Sequence, residues 1–192
     1  SQGIQGPTGP TGPQGVRGVT GPTGPQGLGL TSTGTISLSA AGGWPSLTNP
    51  AGSPIISQIE QPTNKVNSFV ADCLTGVQSF IEWDFALPGD YAGGTITAQF
   101  YWLTASASGN SVVWGIQGRA YANGDALDQA FGTAVEVTDA NVGAGEVNIS
   151  SVTAAVTLAG SAPAAGQHVQ FRVYRLGSGA DTLAATARFL EA

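Results

Sequence analysis

Glycine falls at every third position from the start of the chain without a break, at Gly3, Gly6, Gly9, Gly12, Gly15, Gly18, Gly21, Gly24 and Gly27. Three polyproline-like strands wound about a common axis leave room there only for a hydrogen side chain, so a collagen-like triple helix requires Gly in one position of three. The position after Gly agrees: Pro7, Pro10, Pro13, Pro22 and Pro25 pre-set the φ that such a strand needs. The third positions hold Gln5, Thr8, Thr11, Gln14, Arg17, Thr20, Thr23 and Gln26. Animal collagens favour hydroxyproline there, so this pattern points to a maker without prolyl hydroxylation, a bacterium or its virus. A flexible Gly/Pro linker shares the composition but needs no period. The expectation is a homotrimer in which residues 1–29 form a stalk, a rod on the order of 75 Å long at about 3 Å per residue. Aligning three short strands costs chain entropy, so a trimeric head is expected to hold their ends together.

Past residue 29 the period of three is lost. Residues 30–67 read as a neck of Ser, Thr, Gly and Pro, with loop signals at Gly42-Gly43-Trp44-Pro45 and Asn49-Pro50 and a first strand over 33–39. Residues 68–192 read as the head, in which a period of two takes over. Ile81, Trp83 and Phe85 face one way and Glu82 and Asp84 the other; Ile96, Ala98, Phe100 and Trp102 alternate with Thr95, Thr97, Gln99 and Tyr101. Further strands are expected over 111–122, 133–138, 147–158, 168–176 and 182–190, separated by turns such as Pro88-Gly89-Asp90, Asn123-Gly124-Asp125 and Gly177-Ser178-Gly179. About eight short strands with polar turns predict an all-β domain, a jelly-roll-like β-sandwich whose strand order the pattern does not reveal. Residues 125–131 form the one stretch with the makings of a helical turn. A head of this size is long enough to bury a substantial core without staples.

Five of the six basic residues and all twelve acids lie beyond the stalk, and the formal net charge is −6. An acidic head without a Lys/Arg cluster is not expected to bind nucleic acid. No apolar run has the length of a membrane span, and the N-terminus is too polar for a signal peptide. The chain contains no Met, so Ser1 is expected to follow initiator removal, proteolysis or truncation of a longer protein. The lone Cys73 sits in the apolar run Phe69-Val70-Ala71-Asp72-Cys73-Leu74 and reads as a small buried hydrophobe.

Two resemblances bear on function. A collagen-like rod tipped with a β-sandwich is similar in architecture to the complement and tumour-necrosis-factor-like trimers and to the spore-surface filaments of bacilli, a likeness carried by the Gly-Pro-Thr triplets. The runs Phe80-Ile81-Glu82-Trp83-Asp84-Phe85, Tyr91-Ala92-Gly93-Gly94-Thr95-Ile96-Thr97, Gly109-Asn110-Ser111-Val112-Val113-Trp114-Gly115 and Phe171-Arg172-Val173-Tyr174-Arg175, with Ala180-Asp181-Thr182-Leu183, resemble a β-sandwich module of tailed-bacteriophage structural proteins over about residues 78–190. The second resemblance implies a virion surface protein, a fibre, spike or capsid decoration, with capsid or tail proteins as partners, and carries over no catalytic residue.

The residues themselves give little to an enzyme. His168 is the only His, and no Gly-x-Ser-x-Gly accompanies it. One His and one Cys cannot make a zinc site, so neither metal nor cofactor is expected. Glu82 and Asp84 share a strand face about 7 Å apart, a spacing open to a glycosidase pair but equally to an ordinary solvent face. Asn123-Gly124-Asp125 with Asp128, and Asp139 near Asn141, carry loop oxygens without the EF-hand spacing. Asn148-Ile149-Ser150 is a glycosylation sequon inside an expected strand. Of Trp44, Trp83, Trp102 and Trp114, three fall in strand interiors and Trp44 in a loop. Trp44 and Tyr91 are therefore the candidate ligand contacts, for a host surface glycan whose pyranose rings stack on aromatic faces. The expected function is a non-enzymatic, trimeric surface fibre or capsid decoration protein on a virion; the alternative is a collagen-like filament on a bacterial cell or spore surface.

Overall fold

Alternating apolar and polar side chains pair into two sheets. The computed structural model describes residues 2–6, 9, 34–47, 53–107 and 109–192, and the chain divides into two units, Ser1–Thr33 and Gly34–Ala192. The second unit is all-β, with strands β1 (Trp44–Pro45), β2 (Ile55–Glu60), β3 (Asn67–Cys73), β4 (Ser79–Ala86), β5 (Tyr101–Leu103), β6 (Ser111–Tyr121), β7 (Val135–Ala140), β8 (Asn148–Ile149), β9 (Leu158–Gly160), β10 (His168–Arg175) and β11 (Ala187–Glu191). One sheet runs β1-β4-β10-β6-β7, with β9 parallel to β6; the other runs β2-β3-β11-β5-β8. All other pairings are antiparallel.

The inward faces of the two sheets meet in one core. Ile81, Trp83, Trp114, Ile116, Phe171 and Val173 from the first sheet pack with Ala71, Cys73, Trp102 and Phe189 from the second. Aromatic rings cross the interface: Trp83 and Trp114 lie 5.8 and 5.5 Å from Phe189, and Trp102 lies 6.4 Å from Trp114 in an edge-on arrangement. Each large apolar side chain so buried contributes about 1.5–3 kcal/mol. Trp83, Trp102 and Trp114 thus pack in strands β4, β5 and β6, as their positions in the alternation predict.

One charged pair lies inside. Arg175 and Asp181 have fully buried side chains, joined at 2.8 Å through both Nε and Nη2. Arg175 Nη1 donates to Cys73 O and Ala185 O, and Nη2 also to Leu183 O. Asp181 accepts in turn from the backbone N–H of Val113 and Gly177. A guanidinium with its donors engaged is the condition under which a buried charge is tolerated.

Several expectations from the sequence need correction. Residues 34–39 form no strand, although Leu38 and Ala192 exchange both backbone hydrogen bonds at 2.8 and 3.3 Å. Strand β2 lies within the segment read as neck. Residues 125–131 are turns and bends; the one helical element among the described residues is the single 3-10 turn Ala40–Gly42. The strand expected over 147–158 is broken. The N–H groups of Ser150, Thr153 and Val156 donate to the carbonyls of Phe100, Ala98 and Ile96, three residues on one side for every two on the other. Repeated extra residues of this kind interrupt a ladder, and the hydroxyls of Ser150 and Thr153 fill the gaps by accepting from Phe100 and Ala98 N–H at 2.9 Å. Asn148 of the sequon is buried and hydrogen-bonded to Val142, Glu146 and Trp102.

Cys73 is fully buried, and burial pushes its thiol up to about 12, with Arg175 opposing the shift. At pH 8 a thiol of that acidity is roughly one part in ten thousand thiolate. Native protein is therefore expected not to react with a disulfide reagent at pH 8 over the time in which urea-unfolded protein reacts fully; equal rates would contradict the burial.

Gly12, Gly15, Gly18, Gly21, Gly24 and Gly27, in the segment expected to form a stalk, lie outside the described residues. Gly3, Gly6 and Gly9 are described: among the described residues a Cβ added at any of them would meet nothing within 4 Å, and none has a left-handed backbone.

Candidate ligand-binding face

The outward residues of the first sheet gather most of the chain's chemistry. In β4, β10 and β6 the inward positions other than Ser79 and Arg175 are apolar, so alternation turns Phe80, Glu82 and Asp84, then His168, Gln170, Arg172 and Tyr174, then Gln117, Arg119 and Tyr121 to the outer face. The register sets them in rows. Trp44 lies opposite Glu82, Glu82 opposite Arg172, and Arg172 opposite Gln117; beside that row run Asp84, Gln170 and Arg119.

Trp44 reaches this face because the chain before it is bare. A Cβ on Gly43 would lie 2.3 Å from Ile81 and 2.8 Å from the Trp83 ring, so only Gly lets this segment lie against β4. Trp83 Nε1 donates to Ser39 O at 3.0 Å and fixes the same segment. Trp44 therefore sits on a two-residue edge strand, not in a loop, and remains 71% exposed. Below it a cleft of about 340 Å³ is lined by Leu38, Gly42, Trp44, Trp83, Asp84 and Pro88, among others.

Arg172 is held rigidly at the centre of the row. Its guanidinium lies 4.6 Å from the Phe80 ring centroid and 4.3 Å from that of Phe131, and its Nε and Nη2 donate to Gln117 Oε1 at 3.2 and 2.6 Å. Gln117 is oriented in turn by donating to Gly132 O. Partial burial lowers the pKa of Arg172 and raises that of Glu82; each charge opposes the shift of the other. Glu82 accepts from Gln170 Nε2 at 3.2 Å, and Gln170 Oε1 accepts from Tyr121. Tyr174 donates to Glu136 at 2.6 Å, and burial with that bond pushes the phenol up.

The segment 122–134 folds over one end of the face. Arg119, 6% exposed, donates through Nη1 to Ala130 O and through Nη2 to Gln129 Oε1, and its guanidinium lies over the Tyr121 ring. Between this segment and the sheet is an open cavity of about 640 Å³, lined by Gln117, Asp128, Gln129, Ala130, Phe131 and Arg172.

The structure sorts the sequence candidates. Trp44, Glu82 and Asp84 come together on this face. Tyr91 does not join them: its ring packs half-buried against the core and its hydroxyl donates to Gly94 O. His168 is exposed at the start of β10, its ring 5.5 Å from that of Tyr121. Asp125 accepts from Ala122 N–H, Asp139 from Trp102 Nε1, and Asn141 donates to the carbonyls of Ser106 and Ala107, so turn and core use these side chains. Among the described residues no cluster of three or more His, Cys, Asp or Glu is placed to hold a metal, and no helix is long and apolar enough to cross a membrane. Sequence reasoning missed Arg172, Gln117, Gln170 and Phe131. Their alternation is readable, but the rows depend on pairing between strands distant in sequence. No protein-family model, curated protein or solved structure matches the chain.

Proposed function

We propose that the protein is a non-enzymatic, homotrimeric structural protein, a surface fibre or capsid decoration of a virion, in which a collagen-like stalk displays or anchors a jelly-roll head. The observation that carries this reading is the unexplained glycine. Among the described residues of one chain, Gly3, Gly6 and Gly9 have open space where a Cβ would go and no backbone conformation that excludes a side chain. Two further copies at a common axis would supply a reason for Gly at these positions.

The head fits the same reading. Strands β3-β11-β5-β8 face β4-β10-β6-β7, and every connection among these eight except β6 to β7 passes from one sheet to the other. That alternation supports a jelly roll, with β1 and β2 added at edges and β9 inserted. The two outer faces differ in character. That of the first sheet is polar, whereas that of the second exposes Ile55 and Ile149, with Val147 and Val152 nearby in sequence, each more than half exposed.

Partners in this reading are capsid or tail proteins and, at the distal end, a host surface glycan. The protein is expected to bind bacterial envelope polysaccharide or empty capsids without releasing reducing ends. Sugar release that disappears in Glu82→Gln would contradict the non-enzymatic role, and capsid binding without glycan binding would select decoration. The run of threonines at Thr8, Thr11, Thr20 and Thr23 favours one other reading, a glycosylated filament on a bacterial cell or spore surface. Mass spectrometry of native protein separates the two by the presence of glycans on those residues.

A further inference from the structure

We infer that the outer face of the β1-β4-β10-β6-β7 sheet binds an uncharged, hydroxyl-rich polysaccharide, held between Asp128 and Arg172 in the open cavity and stacked on Trp44. The inference deepens the display reading and rests on it for the gain in avidity that three copies bring.

The cavity has the polar pair that such a ligand requires. Gln117 spends its amide on Arg172 and Gly132, and Gln129 its amide on Arg119 and Ala126, so both serve to orient. Arg172 Nη1 makes no hydrogen bond among the described residues, and Arg172 enters no ion pair. Asp128 is exposed and accepts no hydrogen bond among the described residues. One fixed donor and one acceptor thus face the same space. A sugar hydroxyl is donor and acceptor at once, and neighbouring hydroxyls match a guanidinium and a carboxylate together.

Charge decides against ionic ligands. A polyanion would meet Asp128, Glu82 and Asp84 on this face and a formal net charge of −6 on the chain. A cation would meet Arg172. The guanidinium is also pre-organised, stacked between Phe80 and Phe131, so little ordering is left to be done on binding.

Trp44 marks the other end. The row Trp44, Glu82, Arg172, Gln117 crosses four strands, about 14 Å at the usual strand spacing. Such a length suits a chain of rings, not a single ring, and a Trp standing 71% exposed at its end offers a flat apolar face for a pyranose.

Affinity electrophoresis of the full chain through gels containing dextran, mannan or galactan, with polygalacturonate as the polyanion, tests the inference. At least one neutral polymer is expected to retard the protein and polygalacturonate is not. Trp44→Ala and Asp128→Asn should each weaken retardation about tenfold, the equivalent of roughly 1.4 kcal/mol. Both side chains are exposed, so both variants are expected to keep the parent's circular dichroism. Failure of all three neutral polymers, retardation by polygalacturonate alone, or unchanged retardation in either variant overturns the site. Sedimentation of the same samples separates the two levels: a trimer that binds none of the polymers refutes the site and leaves the display reading standing, whereas a monomer refutes the display reading.

Discussion

Asp181→Ala is expected to cost the head about 3–5 kcal/mol, the penalty for leaving a buried charge unpaired. A domain of ordinary stability has only about 5–15 kcal/mol in total. The carboxylate is fully buried, takes two bonds from Arg175 and holds the N–H groups of Val113 and Gly177. Removing it strands the guanidinium in the core and frees two backbone donors. Replacing both partners, Arg175→Met with Asp181→Leu, is expected to remain destabilised, because the carbonyls of Cys73, Leu183 and Ala185 then lose their donor. Urea unfolding followed by tryptophan fluorescence measures both. A single variant as stable as the parent would mean that the pair does not organise the 175–187 region.

Long strands with clean alternation were legible in the sequence. β4, β6 and β10 lie where Ile81, Trp83 and Phe85, the 111–122 run and the 168–176 run place them, because one face of each is buried and the other is not. Two of the misreadings have a physical cause visible in the structure. The 147–158 run alternates on paper, but each step of its partner costs it an extra residue, and side-chain hydroxyls at Ser150 and Thr153 do work that a ladder would otherwise do. β2 sits beside Asn49-Pro50 and Ser53-Pro54, turn chemistry that outweighed Ile55, Ile56 and Ile59 in a local reading.

The candidate face was legible only in fragments. Glu82, Asp84 and Trp44 were visible as chemistry, yet what joins them is register: β1 and β10 flank β4, and β6 flanks β10, across more than 120 residues of chain. Tyr91 shows the converse. Its position after Pro88-Gly89-Asp90 marks a loop, but a loop closed against a sandwich end buries its aromatic ring, so loop position did not imply exposure.

Gly15→Ala is expected to lower the melting temperature of the polyproline-type circular dichroism signal while leaving the thermal transition of the head in place. Three chains at a collagen axis leave no space for a methyl group, so one substitution per chain puts three into the same crowded layer. The effect should be large relative to the length of the rod, because so few triplets have little surplus to offset a local break. In a flexible linker the same change would be harmless. A dichroism signal that melts unchanged would show that residues 1–29 are not collagen-like.

Sedimentation equilibrium decides whether the chain is one of three. The full chain is expected to sediment at three times its mass of 19.2 kDa, and residues 34–192 alone should also sediment as a trimer, while residues 1–30 alone remain single at room temperature. A full chain that sediments at 19.2 kDa at every concentration would contradict this, because a collagen-like triple helix needs three chains.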